Sequence, residues 1–490
     1  MSPNAAPDSA VRQAKDLSHL FVPAFRAHQK SPFRAVMGTP THEMINMAGG
    51  VPHPSTFPLV QVQAQVRAPT QAKPDRLSTL SLERGQPNGS TESLDDLLQY
   101  NDGRGMSSYC SFLRRFTQRA HAPQYGDWDV IASCGNTDSI AKAIALFCQQ
   151  GDHIIVEQYS FPGALSSLAL AKIAPVPVRM DSEGMVPEAL DQLCAEWTGA
   201  SPLRAIYLIP TGQNPTGATM SLARRKAIYA VAQKHDLVII EDDPYHFLQL
   251  GPHEPPSTPL PAPLGAARAC EPLVPSLLSL DTDGRVIRLD SFSKILAPNL
   301  RCGWITAPTY MLDRLQILNE TTILQPSGLT QGVISRLLND TWGMEGWDEH
   351  LRMLRAAYVA RRDLFVELAV THLRGLVTFT APTAGMYLWM RVDLGPAAAD
   401  PTAMLRLLDA MKKCGVMMAP DMPFRVGPPA APSEHFLRAA FALAETDMFE
   451  PALKRLAQAI VSIRECAQLE VRSEAQPIEP LAPIAVNSST

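Results

Sequence analysis

The 490-residue chain has no apolar run long enough to span a bilayer. Residues 1–14 lack the hydrophobic core of a secretory signal, and they carry Asp8 and a single arginine, which argues against a mitochondrial presequence. Cytoplasm is therefore the expected location. No one sign of charge dominates: the net charge of −5 gives no footing for a nucleic-acid or anionic-membrane partner. Cysteine is sparse and scattered, with 8 residues, no CxxC pair and no metal-ligand spacing. This suits reduced thiols inside a cell better than a disulfide framework, and gives no sign of a metal centre. Internal repeats are absent. The basic run Arg224-Arg225-Lys226 reads as a solvated helix face.

What is present is a large apolar fraction, 46%, ample for substantial cores, in a chain long enough for two domains. From residue 129 short apolar runs alternate with amphipathic stretches. Strands are expected at 129–132, 153–157, 175–179, 204–209, 237–241 and 286–290, and helices at 137–149, 162–172, 187–199 and 221–234. Such alternation predicts an α/β fold with a mostly parallel sheet covered on both faces, whose ligands bind at the carboxyl ends of the strands. The prolines clustered between Gly251 and Ser279 (Pro252, Pro255, Pro256, Pro259, Pro261 and Pro263) predict an exposed insertion at 251–279. A charged helix at 346–372 is followed by strands at 377–393 and 436–442 and helices at 402–414 and 446–465, the pattern of a smaller α+β domain. The expected division is an N-terminal arm at 1–45, a large domain at 46–345, a small domain at 346–467 and a disordered tail at 468–490.

Four segments, each following a strand, carry chemistry. The first is Asp290-Ser291-Phe292-Ser293-Lys294, continuing to Arg301. Desolvation and a neighbouring cation would lower the lysine pKa as covalent cofactor attachment requires, and Ser291, Ser293 and Arg301 suit a phosphate dianion. The plain alternative is a lysine snorkelling at a strand end. The second is Glu241-Asp242-Asp243-Pro244-Tyr245, where a carboxylate can pair with a protonated ring nitrogen and a phenol can bond a ring oxygen. A solvated acidic turn is the other reading, and His246 beside it reads as packing. The third, from Pro210 to Gly217, is a tight loop in which Asn214-Pro215 is a candidate cis peptide; it can equally be a simple turn. The fourth, Ser133-Cys134-Gly135-Asn136-Thr137-Asp138, turns a strand into a helix whose free N–H groups suit an anion, or in which Thr137 or Asp138 is just the N-cap.

Together and in this order, Gln-Asn-Pro-Thr-Gly, Glu-Asp-Asp-Pro-Tyr and Ser-Phe-Ser-Lys resemble the fold-type-I aminotransferases, with the aspartate-aminotransferase fold, over residues 40–465. Within them the chain is similar to the branch holding the 2-aminoadipate/kynurenine and fungal aromatic-amino-acid aminotransferases. That narrower likeness rests on 48–52, 133–138, 241–245 and 280–288. The resemblance implies a seven-stranded sheet in the large domain and pyridoxal 5'-phosphate as cofactor. It implies that Lys294 holds the cofactor and moves the Cα proton, that Asp242 holds the ring nitrogen, and that Tyr245 and Asn214 contact the 3-oxygen. Gly135, Asn136, Ser291, Ser293 and Arg301 would bind the phosphate. Phe161 would stack on the ring where many relatives have tyrosine, with Tyr159 as the alternative. Tyr100 would reach the neighbouring subunit's cofactor, implying a homodimer with shared sites. Arg438 would grip the substrate carboxylate, Gly50 would approach it, and Arg34 would meet a distal group. Cys134 and Asp138 depart from close relatives, and Asp138 is expected to point away from the phosphate.

The expected reaction is ping-pong transamination of an aromatic amino acid (Phe, Tyr or Trp) with 2-oxoglutarate. The alternatives are 2-aminoadipate or kynurenine as donor, a lyase of this fold, and a transcription regulator built on it. The last requires a winged-helix module ahead of the fold, for which residues 1–30 are too short and insufficiently basic.

Overall fold

The computed structural model describes residues 12–27, 47, 50–69, 76–85, 89, 91–253, 272–428 and 434–474. Its centre is a seven-stranded sheet of β1 (Trp128–Ser133), β2 (His153–Glu157), β3 (Ala174–Val178), β4 (Ala205–Leu208), β5 (Val238–Asp242), β6 (Val286–Ser291) and β7 (Gly303–Pro308). The spatial order is β1-β7-β6-β5-β4-β2-β3. Neighbours from β6 through β3 run parallel, and β7 lies antiparallel to both β6 and β1.

These strands are near-continuous apolar runs because both faces are covered. Side chains alternate: Ile154, Val156, Tyr207, Ile240 and Leu289 belong to one core with Ile140, Ile144 and Phe147 of the helix Asn136–Phe147. Ile155, Ile206, Ile239 and Val286 belong to the other with Ile228 and Ala232 of the helix Leu222–Lys234. Each fully buried Ile or Leu contributes roughly 1.5–3 kcal/mol.

A second, antiparallel sheet contains β8 (Val377–Phe379), β9 (Tyr387–Val392), β10 (Ala419–Pro420) and β11 (His435–Ala440), in the order β8-β9-β11-β10. Leu388, Met390, Leu437 and Ala439 face its helices Ala403–Cys414 and Phe449–Glu474, while Tyr387, Trp389, Phe436 and Arg438 occupy the opposite face. The helix Gly343–His372 joins the two sheets.

Four features differ from the sequence reading. β7 is not marked by the strand–helix alternation, since it returns beside β6 with only the short 3-10 turn Pro298–Leu300 between them and no α-helix. Of the expected exposed insertion, residues 254–271 lie outside the described set, but Ser276, Leu277 and Leu278 are fully buried. The buried Glu241 carboxylate accepts from the Leu277 and Leu278 N–H groups and holds that end inside. Arg225 is buried too, not on a solvated face: its guanidinium donates to Met220 O, Pro210 O and Thr211 Oγ1 and ties down the loop that carries Asn214. Finally, the last helix runs to Glu474, past the expected boundary, because 468–474 are helix-compatible residues with no proline before Pro477.

The described arm residues cross the far end of the sheet. Lys15 pairs with Asp283 at 3.0 Å, just ahead of β6, and Leu17 and Phe21 are buried. That is the amino end of the parallel strands, away from the motifs. Among the described residues no helix is long and apolar enough to cross a membrane.

Candidate active site

The carboxyl ends of β1, β4, β5 and β6 open onto a cavity of about 190 Å³. Asn136, Phe161, Asn214, Asp242, Tyr245, Ser291, Ser293, Lys294 and Arg301 line it, nine of the residues picked from the sequence. Because β5 and β6 are parallel and in register, with Leu289 opposite Asp242, the acidic and lysine segments emerge side by side.

Gly135 closes β1 at φ 86° and ψ 171°, a conformation essentially reserved for glycine. A Cβ there would stand 2.7 Å from Arg301 Nη2, so the residue also makes room for the guanidinium. Arg301 donates to Cys134 O at 2.9 Å and to Ser293 Oγ at 3.3 Å, and Ser291 Oγ donates to Ser293 Oγ at 2.9 Å. Two hydroxyls, a guanidinium and a helix N-terminus thus converge, an anion site in chemistry and geometry. Asn136 contributes differently from expectation. Its amide turns inward to Asp242 Oδ1 (2.6 Å) and Leu289 O (3.2 Å), leaving only its backbone N–H for an anion. Asp138 points back into the loop: it accepts from Cys134 N at 3.0 Å and pairs with Lys142 at 2.6 Å, which neutralises an acid beside an anion site.

Asp242 is buried and also accepts from Tyr207 Oη at 2.7 Å. Burial pushes its carboxyl up to about 6, against the Tyr207 and Asn136 hydrogen bonds that favour the charged form. A cation facing it would restore ionisation. Beneath it lies a fully buried charge cluster in which Arg288 pairs with Glu241 (3.1 Å), Asp243 (3.2 Å) and Asp290 (2.9 Å). Burial raises Asp290 to about 7, despite Arg288. His246 packs inside, 4.7 Å from the His121 ring and 3.3 Å from Asp243 Oδ2.

The Asn214-Pro215 peptide is cis. Asn214 Oδ1 accepts from Arg438 Nη1 at 2.7 Å, so a loop of the large sheet meets the functional face of β11. Arg438 lies between the rings of Tyr387 (4.4 Å) and Phe424 (4.7 Å), and its buried Nε has no partner. Phe161 lines the cavity, whereas Tyr159 packs on Trp389 (5.4 Å) and Phe436 (5.9 Å).

Two expected residues, Tyr100 and Gly50, are not brought to this cavity. Tyr100 is 61% exposed, in a groove with Phe57, Leu97, Leu98 and Leu329. Gly50 is exposed, and a Cβ on it would meet nothing within 4 Å. Arg34 lies outside the described residues. Conversely, Thr137, Tyr207 and Tyr387 belong to the site without having been picked. Tyr207 had a signal, a phenol inside an otherwise apolar strand; Tyr387 had none near the other motifs.

A doubly wound sheet that presents a lysine, an anion cradle and a buried carboxylate at one edge defines an α/β enzyme of the aspartate-aminotransferase fold. Residues 71–456 match the family aminotransferase class I and II, and the chain belongs to that family. It is 34% identical, over 93% of its own length and 99% of the other's, to an aromatic amino acid aminotransferase of Schizosaccharomyces pombe. It is 30% identical to the mitochondrial kynurenine/alpha-aminoadipate aminotransferase of Bos taurus, over 85% of this chain and 92% of that one. Among solved structures it is similar to aminotransferase Aro8 from Candida albicans, with a TM-score of 0.84 and 32% identity, covering 93% of this chain and all of that one.

Proposed function

We propose that this aminotransferase uses pyridoxal 5'-phosphate to move an amino group from an aromatic amino acid to 2-oxoglutarate in two half-reactions. The carrying observation is the convergence of Lys294, Asp242 and the Gly135–Arg301 cradle on one cavity that also reaches Arg438. These residues fit the cofactor. The cradle admits the Arg301 guanidinium because residue 135 has no side chain, and Asp242 is a buried acid that a ring cation would keep ionised. The bound cofactor supplies an electron sink for the substrate Cα.

The chain's own residues do the rest. Lys294 holds the cofactor and then takes and returns the Cα proton, a general-base role that typically supplies about 10²–10⁴-fold. Asp242 holds the ring nitrogen positive. Tyr245 and the Asn214 amide donate to the ring oxygen, and Phe161 covers the ring face. The Asn136 N–H, Ser291, Ser293 and Arg301 hold the phosphate. Arg438, with its unused Nε, takes the substrate carboxylate through paired charge-assisted bonds. Exposure of Tyr100 beside an apolar groove supports a homodimer in which each Tyr100 serves the other subunit. The aromatic donor rests on the fungal relatives; the Bos taurus relative supports 2-aminoadipate or kynurenine as the second reading.

The test is a visible spectrum of the loaded protein before and after phenylalanine, without an oxo acid. Conversion of the cofactor band to the amino form supports the proposal, and conversion only by 2-aminoadipate or kynurenine changes the donor. Release of pyruvate and ammonia without an acceptor makes it a lyase. Lys294→Ala should fold and show no turnover.

A further inference from the structure

Tyr387 sits 8% exposed at the start of β9, on the cavity wall, 142 residues from Tyr245 in sequence. Its two ends do different things. The hydroxyl lies 3.2 Å from Tyr245 Oη, with the rings almost perpendicular at 84°. The Arg438 guanidinium lies 4.4 Å over the ring, and 4.7 Å over that of Phe424. Register explains the second contact: Arg438 is opposite Trp389 and Ala440 opposite Tyr387, so Arg438 leans diagonally over the Tyr387 ring.

We infer that Tyr387 is a positioning residue with two separable roles, its hydroxyl donating to Tyr245 and its ring holding Arg438 in line for a carboxylate. The inference rests on the function proposed above. A phenol that donates its own proton to a ring oxygen still has lone pairs to accept with. Tyr387 is the donor within reach, and it strengthens the bond Tyr245 makes because chained hydrogen bonds polarise one another. On the other side, the guanidinium lies within cation–π distance of two aromatic rings, contacts that hold it in place for a carboxylate.

Tyr387→Phe removes only the hydroxyl. The ring oxygen loses part of its stabilisation, the adjoining nitrogen holds its proton more tightly, and the pH midpoint of the loaded protein's visible absorption should rise. The expected change is roughly two- to tenfold in the proton dissociation constant, the range of one net hydrogen bond. The Kd for 3-phenylpropionate, a carboxylate with no amino group, should stay within about twofold of wild type, since the ring contact survives. Tyr387→Leu removes the ring as well and should weaken 3-phenylpropionate roughly threefold or more. Should the Leu variant not fold, Phe424→Leu decides the ring half in its place. An unmoved midpoint in Tyr387→Phe overturns the hydroxyl role, and an unmoved Kd on loss of a ring overturns the other. A wild-type protein that takes up no pyridoxal phosphate overturns the function itself, an outcome distinct from both.

Discussion

Gly135→Ala puts the anion cradle to a quantitative test. The residue sits at φ 86° and ψ 171°, and holding a side-chain-bearing residue there costs about 1–3 kcal/mol. The added methyl would also stand 2.7 Å from Arg301 Nη2 and 3.2 Å from Cζ. Arg301 is exposed and able to swing, but doing so gives up its bonds to Cys134 O and Pro298 O, both 2.9 Å. The loop has two ways to respond. It can keep its shape, and urea denaturation of the cofactor-free protein should then show a loss of about 1–3 kcal/mol. Or it can relax, which spares stability but misdirects the helix N–H groups and Arg301, and the Kd for pyridoxal phosphate should rise about tenfold for each 1.4 kcal/mol of lost interaction. Gly151→Ala is the control: its φ is 88°, with nothing within 4 Å of the added Cβ. It should lose comparable stability and leave the cofactor Kd unchanged. Wild-type stability and wild-type Kd together in Gly135→Ala would refute the assignment of this turn as the phosphate cradle.

Arg438→Ala should lower kcat/KM for the amino donor by roughly 2–5 kcal/mol, about thirtyfold to several thousandfold, in steady-state kinetics. A drop under about fivefold would mean that the carboxylate is held elsewhere. Arg288→Met leaves Glu241, Asp243 and Asp290 facing one another in a dry interior. It should cost about 3–5 kcal/mol in urea denaturation, and unchanged stability would show the cluster to be electrically neutral already. Glu157 is fully buried, with Oε2 accepting from Ile209 N and Gln213 Nε2 and with Oε1 unpartnered. Burial raises its pKa from 4.5 to about 8, so the folded state binds the extra proton; the resulting stability is complete below 4.5 and lost as pH rises through 8. Glu157→Gln keeps the Oε2 contacts and does not ionise, so its melting temperature should gain on wild type between those limits, and a pH-independent difference would refute the assignment.

What could be read from the sequence follows from how each residue reaches the site. Lys294, Asn214 and Gly135 lie a few residues beyond a strand of one mostly parallel sheet and Asp242 ends one, so a local motif plus the rule that ligands sit at carboxyl ends was enough to place them together. The sheet itself was legible for the same reason, through six of its strands. β7 broke the alternation by returning without an α-helix, and the stretch at 276–278, which follows the proline run, hid a buried turn because the need that folds it inward belongs to Glu241 on another strand. For Asn136 the motif locates the helix start but does not say that a carboxylate 106 residues away captures the amide. Tyr387 and Phe424 were beyond reach, since they matter only through Arg438 and Tyr245 across the junction of two sheets. Residues taken from resemblance alone divide in the same way. Arg438 meets Asn214 and Tyr387 of the cavity wall because β11 is paired in register with β9, whereas Tyr100 and Gly50 lie away from the cavity. Local chemistry therefore identifies the groups that gather at the strand ends, while the groups that aim them are written in the packing between sheets.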